Sequence, residues 1–196
     1  MISVLRTTQQ AYAMLGSSNI WDTARRCDEA LRQQGLPYAI VGGVAVCLHG
    51  YQRTTIDIDI LVSRADTQAV RAALEAAGFE WHAEAREFRD QNDIPVQCVI
   101  SAEPAGADVS LGVFLPEPNA DGVTTEIEGL SVVSLSRLIE LKLACGLGSL
   151  RRTYRDLGDV VELIAVHNLG RDFARFLPKS LRKEFRELVV RARGAP

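Results

Sequence analysis

Asp57 and Asp59 are the two residues of this chain best placed to do chemistry together. They stand two apart in the run 55–62, where Ile56, Ile58, Ile60 and Val62 alternate with Asp57, Asp59 and Leu61. Alternation with period two is that of a half-buried β-strand, and on a strand both carboxylates project from one face, able to share one cation. Magnesium suits such a pair, because it is a hard ion that takes one or two carboxylates together with phosphates and water. A buried anionic pair without a cation is expensive, so a bound metal also explains why the pair is tolerated. Upstream, Gly42-Gly43 ends the apolar run 38–41 and opens a short helical stretch over 43–49 that closes at Gly50. Without side chains the backbone can turn tightly, approach a ligand and aim its N–H groups at a phosphate. Arg53 and Thr54, just ahead of the acidic strand, offer a positive charge and a hydroxyl to the same anion.

Each piece alone has an ordinary explanation. A Gly-Gly pair before a helix is often only a turn, and an Asp-x-Asp on a strand edge is often a solvated face. Thirteen residues separate Gly43 from Asp57, and the order strand, Gly-Gly, helix, strand, Asp-x-Asp is far more specific than either half.

The surrounding pattern supplies the elements that must hold these residues. A short helix is expected within 1–18, then a stronger one over about 20–34, with Asn19 or Asp22 as cap and Trp21, Ala24, Cys27 and Leu31 on its apolar face. Gly35 and Pro37 end it. A further helix is expected from Asp66 to Gly78, one or two short strands over 79–88, a strand over 94–100, a loop rich in Gly, Pro and Ala over 102–122, and short strands about a Glu128-Gly129 turn. From Leu135 the spacing becomes helical, with a second helix over 159–167 and a third over 180–193. The expected class is α/β (α+β): a small mixed sheet with flanking helices over 1–134, including an extension at 1–18, and a C-terminal helical segment over 135–196 that packs on it.

The segment VGGVAVCLHGYQRTTIDIDILV resembles the defining stretch of the nucleotidyltransferase superfamily, shared by polymerase-beta-type enzymes and small antibiotic adenylyltransferases, and looks closest to the bacterial group of AbiEii-type toxins. LSRLIELKLACGLGSLRRTYRDLGDVVELI is similar to a later segment of such proteins, so that the resemblance spans 38–164, about two thirds of the chain. It implies that Gly42 and Gly43 touch the nucleotide phosphates and that Asp57 and Asp59 hold Mg2+. It further implies that Lys142 is the helical lysine near the triphosphate, Asp156 the first acid of the tail motif and Arg53 the basic residue ahead of the acidic strand. A nucleoside triphosphate is then the donor, RNA, protein or a small molecule the acceptor, and an antitoxin a possible partner. Lys142 sits inside the apolar run LIELKLA, an awkward place for a solvated lysine. Asp156 and Asp159 can equally cap a helix or pair with Arg151, Arg152 or Arg155.

One position departs from the pattern. Superfamily members usually carry a third carboxylate on a later strand, and in the run 94–100 that place is held by Gln97. A glutamine can ligate a metal weakly or donate a hydrogen bond, but it cannot take a proton from an attacking hydroxyl. Glu87, Asp90, Asp93 and Glu103 lie near it in sequence and are candidates to substitute. Val44 also stands where a serine or threonine often follows the glycine pair. A catalytically degenerate member that binds a nucleotide or a partner is therefore the alternative to an active enzyme.

Composition narrows the rest. The formal net charge is −3, from 22 basic and 25 acidic residues, which argues against coating nucleic acid by bulk charge while leaving room for a local basic groove. No apolar run has the length of a membrane span, so a cytoplasmic protein with no membrane contact is expected. Cys27, Cys47, Cys98 and Cys145 are far apart and read as small buried hydrophobes; His49, His82 and His167 do not cluster, against a zinc site. His49 is either a packed helix-end residue or a neighbour of the nucleotide.

Overall fold

The computed structural model describes residues 19–193, so the helix expected within 1–18 lies outside the described residues. Helix α1 (Asn19–Gln33) buries Trp21, Ala24, Cys27 and Leu31 along one stripe. The left-handed Gly35 and a bond from Leu36 N to Leu31 O end it. Strand β1 (Tyr38–Val41) is buried along its length and passes directly into helix α2 (Gly42–Leu48).

Strand β2 (Ile58–Val62) runs antiparallel to β1, with Val41 opposite Asp59. It is shorter than the alternation of 55–62 suggests. Asp57 lies just before its first residue, and Ile56, expected on the buried side, is 73% exposed. Leu61, expected on the polar side, is fully buried, because this strand lies inside a sheet covered on both faces.

Helix α3 (Thr67–Ala76), strands β3 (Glu80–His82), β4 (Glu87–Arg89) and β5 (Pro95–Ile100), a long loop, and the hairpin β6 (Thr124–Ile127) and β7 (Leu130–Val133) complete the body. Glu128 and Gly129, both at positive φ, make the hairpin turn. The seven strands are ordered β3-β4-β5-β2-β1-β7-β6. β2 is parallel to β5 and β1 to β7, while the other neighbours are antiparallel, a mixed sheet.

The tail is helical: α4 (Leu135–Gly148), α5 (Leu150–Val166) and α6 (Arg182–Ala192). Here the structure corrects the sequence reading. The second tail helix begins at Leu150 rather than Asp159, so Arg151, Arg152 and Arg155 belong to its first turns. Gly158 sits inside it with open space around its Cα. A lone glycine weakens a helix by about 1 kcal/mol without breaking it.

Along β2 and β5 alternate residues face opposite sides. Val62, Cys98 and Ile100 lie toward α3, and Asp59, Gln97 and Val99 toward α4. One hydrophobic cluster joins the body to the tail, with Ile40, Ile60 and Leu61 of the sheet and Leu138, Ile139, Leu163 and Phe185 of the tail all buried in it. Cys27 and Cys47 are buried and Cys98 and Cys145 partly so, all four as free thiols. Among the described residues no helix is long and apolar enough to cross a membrane.

Candidate active site

A cavity of about 600 Å³ opens between the α4-facing side of the sheet and the tail. Gly42, Gly43, Asp57, Asp59, Gln97 and Lys142 all line it. The β1–β2 register sets Asp59 against the β1–α2 junction, and the side chain uses the room that Gly42 leaves. A Cβ on Gly42 would overlap the Asp59 carboxylate, and Gly42 also has a φ of +65°. A Cβ on Gly43 would strike the Thr55 hydroxyl and stand 3.1 Å from Arg53 Nη2. The two glycines therefore let the acidic strand and the segment before it close down on the start of α2, which has no side-chain cap.

Burial pushes the Asp59 carboxyl above the usual carboxylate range, and the neighbouring Asp57 charge adds to it; Lys142, Arg152 and Arg155 pull the other way. Thr55 Oγ1 donates to Asp57 Oδ1 at 3.2 Å. Two carboxylates on one cavity wall fit a hard divalent cation with room for phosphate and water. Among the described residues no group of three or more His, Cys, Asp or Glu side chains is arranged to hold a metal, and Asp57 and Asp59 are the carboxylates that line this cavity.

The third position is as direct as the ladder allows. Gln97 pairs with Asp59 across the parallel β2–β5 register. Its Nε2 donates to Glu87 Oε2 at 3.4 Å, and Glu87 is buried and paired with Arg89 at 2.7 Å. Of the acids near it in sequence, Glu87 is thus the one in contact with Gln97, though it does not line the cavity. Asp90 turns away to accept from Thr23 at 2.6 Å, Asp93 pairs with Arg89 at 2.7 Å and Glu103 with Arg64 at 3.2 Å.

Behind the cavity lies a buried charge network. Lys142 Nζ is 2.8 Å from both Asp156 Oδ1 and Asp159 Oδ2. Arg152 Nε donates to Asp156 Oδ2 at 2.8 Å, and Arg53 grips Asp159 through Nε at 2.7 Å and Nη2 at 3.1 Å. Arg53 also donates to the Thr54 carbonyl at 2.9 Å, while the Thr54 residue is exposed. Arg53, Thr54 and Asp156 are not among the residues that line the cavity. Lys142 does both: it borders the cavity and holds α4 to α5.

Arg152 and Arg155 form a cationic rim on the cavity, and the loop Pro104 to Ala107, which sequence reasoning missed, forms one wall. The loop had a marker in its small residues. A Cβ on Gly106 would lie 2.6 Å from the Ala144 carbonyl, and one on Gly148 would lie 2.8 Å from Asp108 N, so loop and α4 touch backbone to backbone. His49 is the packed residue of the two alternatives: it is buried, with Nε2 2.8 Å from the Val133 carbonyl, and burial lowers its pKa.

Solved structures share the fold of this chain. JHP933 from Helicobacter pylori superposes with a TM-score of 0.53 at 17% identity, covering 89% of each chain. A second H. pylori structure, assigned provisionally as a nucleotidyltransferase, gives 0.52 at 17% identity over 89% of this chain and 79% of the other. At that identity the likeness is one of fold. No curated protein matches the chain in sequence. Residues 3–192 match the family described as uncharacterised nucleotidyltransferase. That match runs through nearly the whole chain, and the protein belongs to this nucleotidyltransferase family.

Proposed function

We propose that the protein is a magnesium-dependent nucleotidyltransferase that moves a nucleoside monophosphate from a nucleoside triphosphate to a hydroxyl of RNA, protein or a small molecule. The observation that carries this reading is the convergence of Gly42, Gly43, Asp57 and Asp59 on one cavity with Arg152 and Arg155 at its side. Asp57 and Asp59 hold the ion, which neutralises and orients the phosphates when bound. Gly42 and Gly43 let the triphosphate approach the backbone, and Arg152, Arg155 and Lys142 supply positive charge. Arg53, Thr54 and Asp156 act from behind, fixing the segment that carries Asp57 and the helix that carries Arg152.

In the transfer, the acceptor oxygen forms a bond to the α-phosphorus while the bond to pyrophosphate breaks. The hydroxyl proton leaves to water, since Gln97 has no basic site to receive it. Catalysis is then mainly positioning and charge neutralisation. A toxin-like role of the AbiEii type, with an antitoxin as partner, rests on the sequence resemblance alone.

A second reading is favoured by one specific feature, the neutral Gln97 in register with Asp59: a degenerate member that binds a nucleotide without turning it over. Incubation with each α-labelled triphosphate and a crude RNA and protein extract separates the two. Label transfer is the expected result. Binding without transfer, with transfer gained in Gln97→Asp, would establish the degenerate reading instead.

A further inference from the structure

The first two turns of α5 present two large apolar side chains to water beside the cavity. Tyr154 is 91% exposed and Leu150 88%, although the same helix buries Val160, Leu163 and Ile164 further along. Leu150 and Tyr154 are four residues apart, as are Arg151 and Arg155, so an apolar stripe and a cationic stripe run side by side on the helix. Arg155 reaches the cavity wall itself. Arg152 is ion-paired with Asp156, whereas among the described residues no ion pair engages Arg151 or Arg155. Ile56, also exposed, directly precedes the cavity residue Asp57. This cluster of three arginines in five residues stands out in a chain whose net charge is −3.

An exposed ring next to unpaired guanidinium groups is the chemistry that receives a phosphate backbone carrying flat bases. A lipid surface would need a broader apolar face than two side chains provide. We infer that this edge of α5 is the docking track for a single-stranded polynucleotide, whose terminal hydroxyl enters the cavity as the acceptor. The inference rests on the transferase reading for the word acceptor. The track is set by charge and stacking, and so binds the strand with little dependence on base sequence.

The test is fluorescence anisotropy of the full chain with short 5′-fluorescein-labelled oligonucleotides, RNA and DNA, single-stranded and duplex, across a salt series. Single strands of at least one sugar type are expected to bind better than duplex, and the RNA and DNA arms tell which sugar is preferred. Tyr154→Ala should weaken binding by about fivefold or more, while Tyr154→Trp retains it. Arg151→Ala with Arg155→Ala should lower the slope of log affinity against log salt by about 1.4, at about 0.7 per phosphate contact. Lys183→Ala, an exposed cation on α6, should change nothing. Asp57→Asn with Asp59→Asn should keep strand binding while losing the magnesium-triphosphate thermal shift, so the track and the nucleotide site can fail separately. Absence of strand binding at low salt, equal affinity for duplex, or unchanged affinity in Tyr154→Ala would overturn the inference. So would sedimentation showing a dimer that Tyr154→Ala dissociates, because a second copy would then cover the patch.

Discussion

Gly42 and Asp59 share one small volume, and the glycine cannot gain a side chain without striking the carboxylate. Gly42→Ala puts a methyl into the Asp59 carboxylate and forces alanine to a φ of +65°; the backbone strain alone is about 1–3 kcal/mol. Thermal melting should show a fall of several degrees, since each kcal/mol is worth about 2–4 °C in a chain of this size, and the response to magnesium should vanish with it. Asp59 itself carries a pH signature. Burial first, then the Asp57 charge, raises its folded carboxyl above its unfolded value, so the folded state binds more protons than the unfolded one in that window. In magnesium-free buffer stability should therefore decline as pH rises from the ordinary carboxylate range through the raised value, then level off. Asp59→Asn should remove that decline and melt a few degrees higher than the parent at neutral pH; a lower melting point would contradict the repulsion described here. Both acids were legible in the sequence because strand period and hard-ion chemistry point the same way. The exposure of Ile56 was not, since nothing in an alternating run says where its ladder bonds begin.

At the scale of elements, the joint between α4 and α5 carries the most consequence. Lys142, Asp156, Asp159, Arg53 and Arg152 form a connected set of opposite charges, with Asp156 fully buried. Lys142→Met leaves two buried carboxylates short of their shared ammonium, a loss of about 3–5 kcal/mol. Urea denaturation at neutral pH should show it with no nucleotide present. If stability is unchanged and only triphosphate affinity falls, the lysine faces ligand and not the joint. The run LIELKLA marked Lys142 as unusual, because a charge in a helix apolar on all sides needs a partner. Its partners lie fourteen and seventeen residues on, and only the packing of α5 on α4 brings them near. The start of α5 was hidden for a similar reason: an arginine-rich first turn with an interior glycine has weak apolar period, and tertiary contact keeps it helical.

For the whole molecule, the sequence disclosed a mixed α/β body followed by helices, and both are present. It did not disclose the seven-strand order, because the pairings of β2 with β5 and of β1 with β7 join segments far apart in the chain, and no local pattern encodes partner choice. That order is what places Gln97 beside Asp59 and the arginines of α5 across from both. The central claim, that this cavity binds a nucleoside triphosphate through magnesium held by Asp57 and Asp59, is tested most directly by thermal shift of the full chain. With each triphosphate and magnesium together, the melting point should rise for at least one nucleotide; at a hundredfold excess over Kd the gain is about 2.7 kcal/mol. Chelation of the metal, or Asp57→Asn with Asp59→Asn, should abolish the rise. No shift with any of the four triphosphates, or an equal shift in the double variant, would contradict the claim.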